Sequence, residues 1–280
     1  MRLIYPEQTS LSDDPLPEFA APPVIETSIG IQFDGLENYV SLDAASYRER
    51  IQSEYPRLEE HPPLDPAFET FGPADGQIGQ AQIQLVQGAM QPRYFFINGD
   101  DDKLVQLQSD RLFLNWRKRS EGGEYPRHAR IRSEFGEKLE ELVEWAGEKR
   151  LGQINPTQCE ALYVNRIPLR DAAGANCGLS YFFPWLQNLA GKTESGSFNF
   201  NRRLTNEEGR PLARLHMSLH FGTDPEGMRE ARLMLHVRGR PLESSSNGCL
   251  AMIDAEREII VRTFAELTSP EAHAIWERTQ

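Results

Sequence analysis

Residues 213–221, ARLHMSLHF, and 231–238, ARLMLHVR, decide the fold. In the first stretch Leu215, Met217, Leu219 and Phe221 share one parity, while Arg214, His216, Ser218 and His220 share the other. In the second, Leu233, Leu235 and Val237 alternate with Arg232, Met234, His236 and Arg238. Successive side chains on a strand point to opposite faces, so each stretch has an apolar and a polar face. The intervening residues 222–227, GTDPEG, are turn chemistry. The pattern predicts an antiparallel hairpin that lays its apolar face on helices. Its polar face collects Arg214, His216, His220, Arg232, His236 and Arg238, three of the six histidines in the chain plus three arginines.

Working outward, alternation predicts strands over 24–33, 80–86, 93–97, 160–167 and 197–203, the last adding Asn199, Asn201 and Arg203 to the polar face. Residues 103–116 read as one bent strand or as two meeting at Ser109-Asp110. Helical spacing predicts helices over 41–54, 127–149 and 254–267, and Ser269-Pro270 starts a short terminal helix that Trp276 docks. On the helix over 127–149, Ile131, Phe135, Leu139, Leu142 and Val143 form the apolar stripe. The prolines between 56 and 73 predict irregular chain there, and those between 6 and 23 an extended lead-in.

The expected fold is therefore α+β in two similar halves, each a mainly antiparallel sheet packed on a long helix, in the order strand, helix, three strands, helix. The boundaries are a lead-in over 1–23, an N-terminal half over 24–152 and a C-terminal half over 153–280. The alternative is one continuous sheet wrapped around both long helices.

The 280 residues carry a formal net charge of −12, which weighs against general nucleic-acid binding because phosphate contacts need clustered Lys and Arg. Cys159, Cys177 and Cys249 form no CxxC pair, so neither a zinc ribbon nor a secreted disulfide scaffold is expected. No apolar run is long enough to span a bilayer, and the first residues lack a signal-peptide pattern, so the expected compartment is the cytoplasm.

Several segments together resemble a sporadically distributed bacterial family of uncharacterised proteins. They are Pro22-Pro23-Val24-Ile25-Glu26; Gln106, Gln108 and Arg111 leading to Asn115-Trp116-Arg117; Tyr125-Pro126-Arg127 before the helix with Phe135; and Glu160, Tyr163, Asn165 and Arg166 in the strand over 160–167. Phe264, Leu267, Thr268, His273 and Trp276 close the series, which spans residues 22 to 276. The resemblance implies a bacterial accessory gene near defence or toxin systems and carries no activity with it. Glu26, Gln108, Arg111, Asn115, Trp116, Arg117, Tyr125, Pro126, Glu160 and Asn165 are read as structural members of these segments.

The polar hairpin face is the first place to look for function. His216 and His220 are four residues apart on a strand, about 13 Å, which is too far to share one zinc ion. Arg and His together suit phosphate or an acidic protein surface. Exposed Gln80, Gln82 and Gln84 suit a solvated face or a protein partner. Glu26 and Glu160 read as equivalent positions, with Arg111 or Arg166 as partners. Asp100-Asp101-Asp102 reads as a solvated turn. No GxSxG, HExxH, P-loop or GxGxxG stands in a supporting context. The expectation is a non-enzymatic protein-binding or regulatory module with a protein partner, no cofactor, no metal and no membrane, and with a homodimer left open. The alternatives are an anion-binding or enzymatic domain using the His/Arg face, and a duplicated, saddle-shaped DNA-binding fold.

Overall fold

The computed structural model describes residues 3–5, 14–72, 91–120, 123–187 and 193–280. The strand predicted over 80–86, with Gln80, Gln82 and Gln84, lies outside the described residues. The strands are β1 (Val24–Phe33), β2 (Arg57–His61), β3 (Arg93–Ile97), β4 (Lys103–Gln108), β5 (Arg111–Arg117), β6 (Pro156–Pro168), β7 (Gly196–Thr205), β8 (Pro211–Thr223) and β9 (Arg229–Gly239). The helices are α1 (Asp43–Ile51), α2 (His128–Glu148), α3 (Leu179–Phe182), α4 (Ser246–Leu267) and α5 (Pro270–Ile275).

Two separate sheets, each on its own helix, are not what forms. The nine strands of the described residues join in one antiparallel sheet of order β2-β3-β4-β5-β1-β6-β9-β8-β7. The join is β1, which pairs with β5 on one side and with β6 on the other. Alternation fixes which face a residue takes but not which strand lies beside it, so the sequence pattern left this join open. The first half also carries a strand that the sequence pattern did not predict, β2. β2 falls in the proline-rich stretch predicted to be irregular, and at the sheet edge only Leu58 of its sequence packs against the core.

The helices cover one face. α2 lies over β5 and β1, α4 over β6 and β9, and the two touch each other. Their apolar stripes meet Ile29 and Ile31 of β1, Leu112 and Leu114 of β5, Ala161 of β6 and Leu233, Leu235 and Val237 of β9, all essentially buried. The α2 stripe runs through Ile131, Phe135, Leu139, Leu142 and Trp145, and Val143 is exposed. α4 starts eight residues before the predicted 254. Ser245 caps it by accepting the Gly248 N–H at 3.0 Å, which places Asn247-Gly248, a dipeptide common in turns, inside the first helical turn. Gly239 keeps β9 close to β8 under α4, since a Cβ there would stand 2.6 Å from the Ala213 Cβ and also meet the Met252 methyl. The lead-in is pinned down: Leu3, Ile4, Tyr5 and Phe19 are buried, Ile4 bridges Thr205, and Phe19 packs on Phe264 and Trp276.

One polar group is misplaced for stability. Glu256 of α4 is fully buried, and its oxygens take no hydrogen bond; the Gly239 N–H approaches without alignment. Burial, reinforced by Glu160, pushes its carboxyl well above the ordinary range. An acid with a raised folded-state pKa is held protonated by the fold, so stability falls as pH rises above about 4.5, by about 1.4 kcal/mol per pH unit until the folded pKa is passed. Glu256→Gln is expected to remove that slope. In urea unfolding between pH 5 and 8, its stability advantage over the parent should grow with pH; a constant difference would contradict the assignment.

Candidate functional site

The face away from α2 and α4 is polar, and part of it is not open. The ends of β2 and β3 are paired, His61 with Arg93. A two-residue turn would join them, yet the chain spends residues 62–92 there. Residues 62–72 form a strap that crosses the polar face from β4 to β8. Gln108 of β4 binds the backbone of Leu64 with both amide atoms: the Leu64 N–H donates to Oε1 at 2.9 Å and Nε2 donates to the Leu64 carbonyl at 3.0 Å. Gln32 of β1 does the same to Ala67, at 3.0 and 2.6 Å. Arg111 also donates to the Leu64 carbonyl, while pairing with Asp110.

The strap ends in a carboxylate cradle. Arg214 Nε donates to Glu69 Oε2 at 2.7 Å, and Arg214 Nη2 to the Thr70 carbonyl at 2.7 Å. His216 Nε2 lies 2.6 Å from Glu69 Oε1, its ring oriented by Asn201 at Nδ1, 2.9 Å away. Arg238 stands 3.6 Å from the same carboxylate. Arg238 also pairs with Glu160 of β6 at 3.1 Å, and His236 Nε2 lies 2.8 Å from Glu160. Two carboxylates, two imidazoles and two guanidinium groups thus form one cluster, with the His216 and His236 rings 5.8 Å apart. Burial pushes the Glu69 carboxyl up, but His216 and Arg214 outweigh it and hold it below the ordinary range. Glu160 is held low in the same way, by His236 and Arg238 against burial.

Of the six His and Arg residues singled out on the hairpin face, Arg214, His216, His236 and Arg238 come together. His220 and Arg232 face each other across β8 and β9 further along, both exposed, with Arg232 paired to Glu230 at 2.9 Å. The expected partners of the two glutamates are corrected. Arg166 pairs with Glu230 and Asp224, Arg111 with Asp110, and Glu26 lies near Arg117 and Asn115. Trp116 is buried on the helix side against Tyr125. Asn165 donates to the Leu233 carbonyl, and Tyr125 and Pro126 lead into α2. Asp101 is no solvated turn residue, because Arg57, Arg117 and Arg119 all converge on it.

Sequence reasoning missed Glu69 and Gln32, and read Gln108 as structural without its hold on the strap. The available signal was polar glutamine at interior positions of β1 and β4, strands whose neighbours on both sides bury them. Among the described residues no three His, Cys, Asp or Glu side chains are set to hold a metal, and no helix is long and apolar enough to cross a membrane. No protein-family model matches the chain, and neither does any curated protein.

The Glu69 carboxyl, held low in the folded chain, contributes stability that is present above about pH 4.5 and is lost as pH falls through its lowered pKa. Acid is therefore expected to release the strap, and Glu69→Gln to loosen it already at neutral pH. The readout is hydrogen-exchange protection of the Leu64 and Ala67 amides. Equal protection in Glu69→Gln and the parent at pH 7 would contradict the anchoring role.

Proposed function

We propose that the protein is a non-enzymatic binding module whose polar sheet face receives an extended, proline-rich, acidic segment of a protein partner, in the place that residues 62–72 occupy. The strap's own contacts carry this reading. Leu64, Ala67 and Thr70 meet the sheet through their backbones at intervals of three residues, the period of a polyproline II segment. Leu64 and Ala67 each follow a proline, Pro63 and Pro66. The amides of Gln32 and Gln108 each offer one donor and one acceptor to a backbone N–H and C=O, so they read extended chain and not side chains. Specificity falls to the cradle of Arg214, His216 and Arg238, which demands an anion at the Glu69 position. The resemblance to a bacterial accessory family is the reason to seek the partner among defence or toxin proteins.

A second reading has one observation in its favour. Strand order runs outward from the centre in the same sense on both sides, β1-β5-β4-β3 and β6-β9-β8-β7. That order supports an internal duplication and a saddle-like nucleic-acid surface, which the strap's Glu69 would have to vacate.

The test replaces residues 62–92 with Asn-Gly, joining the paired His61 and Arg93. The strapless protein is expected to bind a labelled peptide of residues 61–72, HPPLDPAFETFG, while the parent does not. A Glu69→Lys peptide should bind about tenfold more weakly or worse, the cost of losing charge-assisted hydrogen bonds. Equal binding of both peptides, or binding of neither, contradicts the proposal; duplex DNA bound in place of peptide supports the second reading.

A further inference from the structure

On the helix side of the sheet, remote from the strap, lies a cavity of about 590 Å³. That is within the range of small-molecule sites, about 300–1,000 Å³. Its walls include the lead-in around Phe19 and Pro22, the start of α2, Tyr163 and Asn165 of β6, and Arg257, Val261 and Phe264 of α4, with Val24 and Thr279 at the margins. The lining is mainly apolar, and Tyr125, His128 and Tyr163 are among its polar residues.

Those polar groups form a directed chain. Tyr125 donates to the Tyr163 hydroxyl at 3.0 Å. The Tyr163 hydroxyl lies 3.4 Å from His128 Nδ1, and His128 Nε2 lies 3.0 Å from Asp254. Asp254 is fixed by Arg132 at 2.7 and 2.8 Å. With Nε2 donating to the carboxylate, Nδ1 is left to accept from Tyr163. Burial lowers the His128 pKa despite Asp254, so the ring is neutral at pH 7.

Charge at the cavity is the opposite of the protein's. Arg257 stands beside the Tyr125 and Tyr163 hydroxyls and makes no ion pair with a described carboxylate. Arg127 spends its guanidinium on the carbonyls of Phe19 and Ala20, at 2.8 and 2.9 Å, and likewise meets no described carboxylate. Its backbone, at φ 68 and ψ 149, lies in a region that glycine normally occupies. On the strap-covered face, by contrast, Arg111, Arg214 and Arg238 are each matched by a carboxylate. In a chain of net charge −12, two guanidinium groups that make no ion pair among the described residues, against one lining carboxylate, Glu18, are a recognition feature beside an apolar cavity.

The geometry points to a small-molecule site for an amphipathic monocarboxylate, its aliphatic or aromatic body against Phe19, Val261 and Phe264 and its carboxylate on Arg257. No covalent step is involved. The site is separate from the strap-covered face and stands or falls independently of it.

Calorimetric titration of the full-length protein with octanoate tests this. Octanoate is expected to bind with one-to-one stoichiometry, and 1-octanol, which has the same chain without the charge, about tenfold more weakly or worse. Arg257→Gln should lose that preference for the acid over the alcohol. Val261→Trp, which fills the cavity from a partly exposed position, should abolish binding of both while leaving the melting temperature of the unliganded protein near that of the parent. Arg210→Gln, at the exposed turn before β8, should change neither. No octanoate binding by the parent, equal affinity for octanoate and octanol, or an unchanged preference in Arg257→Gln would overturn the proposal.

Discussion

The antiparallel ladder between β1 and β6, running from Val24 opposite Asn165 to Phe33 opposite Pro156, is the constraint from which the rest follows. It turns two hairpin systems into one sheet with two long faces. Both long helices need apolar sheet to bury their stripes against, and a single sheet offers that most fully on one side. Once α2 and α4 occupy it, the polar parities of every strand fall together on the other side. The glutamines of the first half and the His/Arg residues of the second then form one surface, and a segment leaving β2 can cross it and reach β8.

That surface illustrates how a fold keeps buried charge tolerable. Glu69 and Glu160 are both nearly excluded from water, which by itself is costly. Each is offset by cations on neighbouring strands, with Arg238 shared between them. Glu256, under the same sheet, shows the contrary case. It has no aligned partner, and the fold keeps it in the neutral form. The cradle is therefore built for an anion, with the chain's own carboxylate filling it.

Much of this was legible in residues 213–221 and 231–238, whose alternation fixed the faces of β8 and β9, and in the stripe of Ile131, Phe135, Leu139 and Leu142. The six candidate residues on the hairpin face were legible as a face, though only four of them converge. The single sheet was legible only as the alternative, because pattern specifies facing and leaves the lateral neighbour of a strand such as β1 open. β2 was hidden by an edge position with a single packing residue, Leu58. The early start of α4 was hidden because Asn247-Gly248 mimics a turn while serving a cap. Glu69 was beyond reach for a different reason: its partner Arg214 lies 145 residues away, and no local rule joins a proline-rich loop to a distant strand.

The central claim is that the Glu69 carboxylate is bound by the strand face through Arg214. A double-mutant cycle measures it most directly. Glu69→Ala, Arg214→Ala and the double variant are compared with the parent by urea unfolding at pH 7. The account expects a coupling energy of about 1–3 kcal/mol, as for contacting groups in one charged network. Additive losses, with coupling near zero, would contradict it.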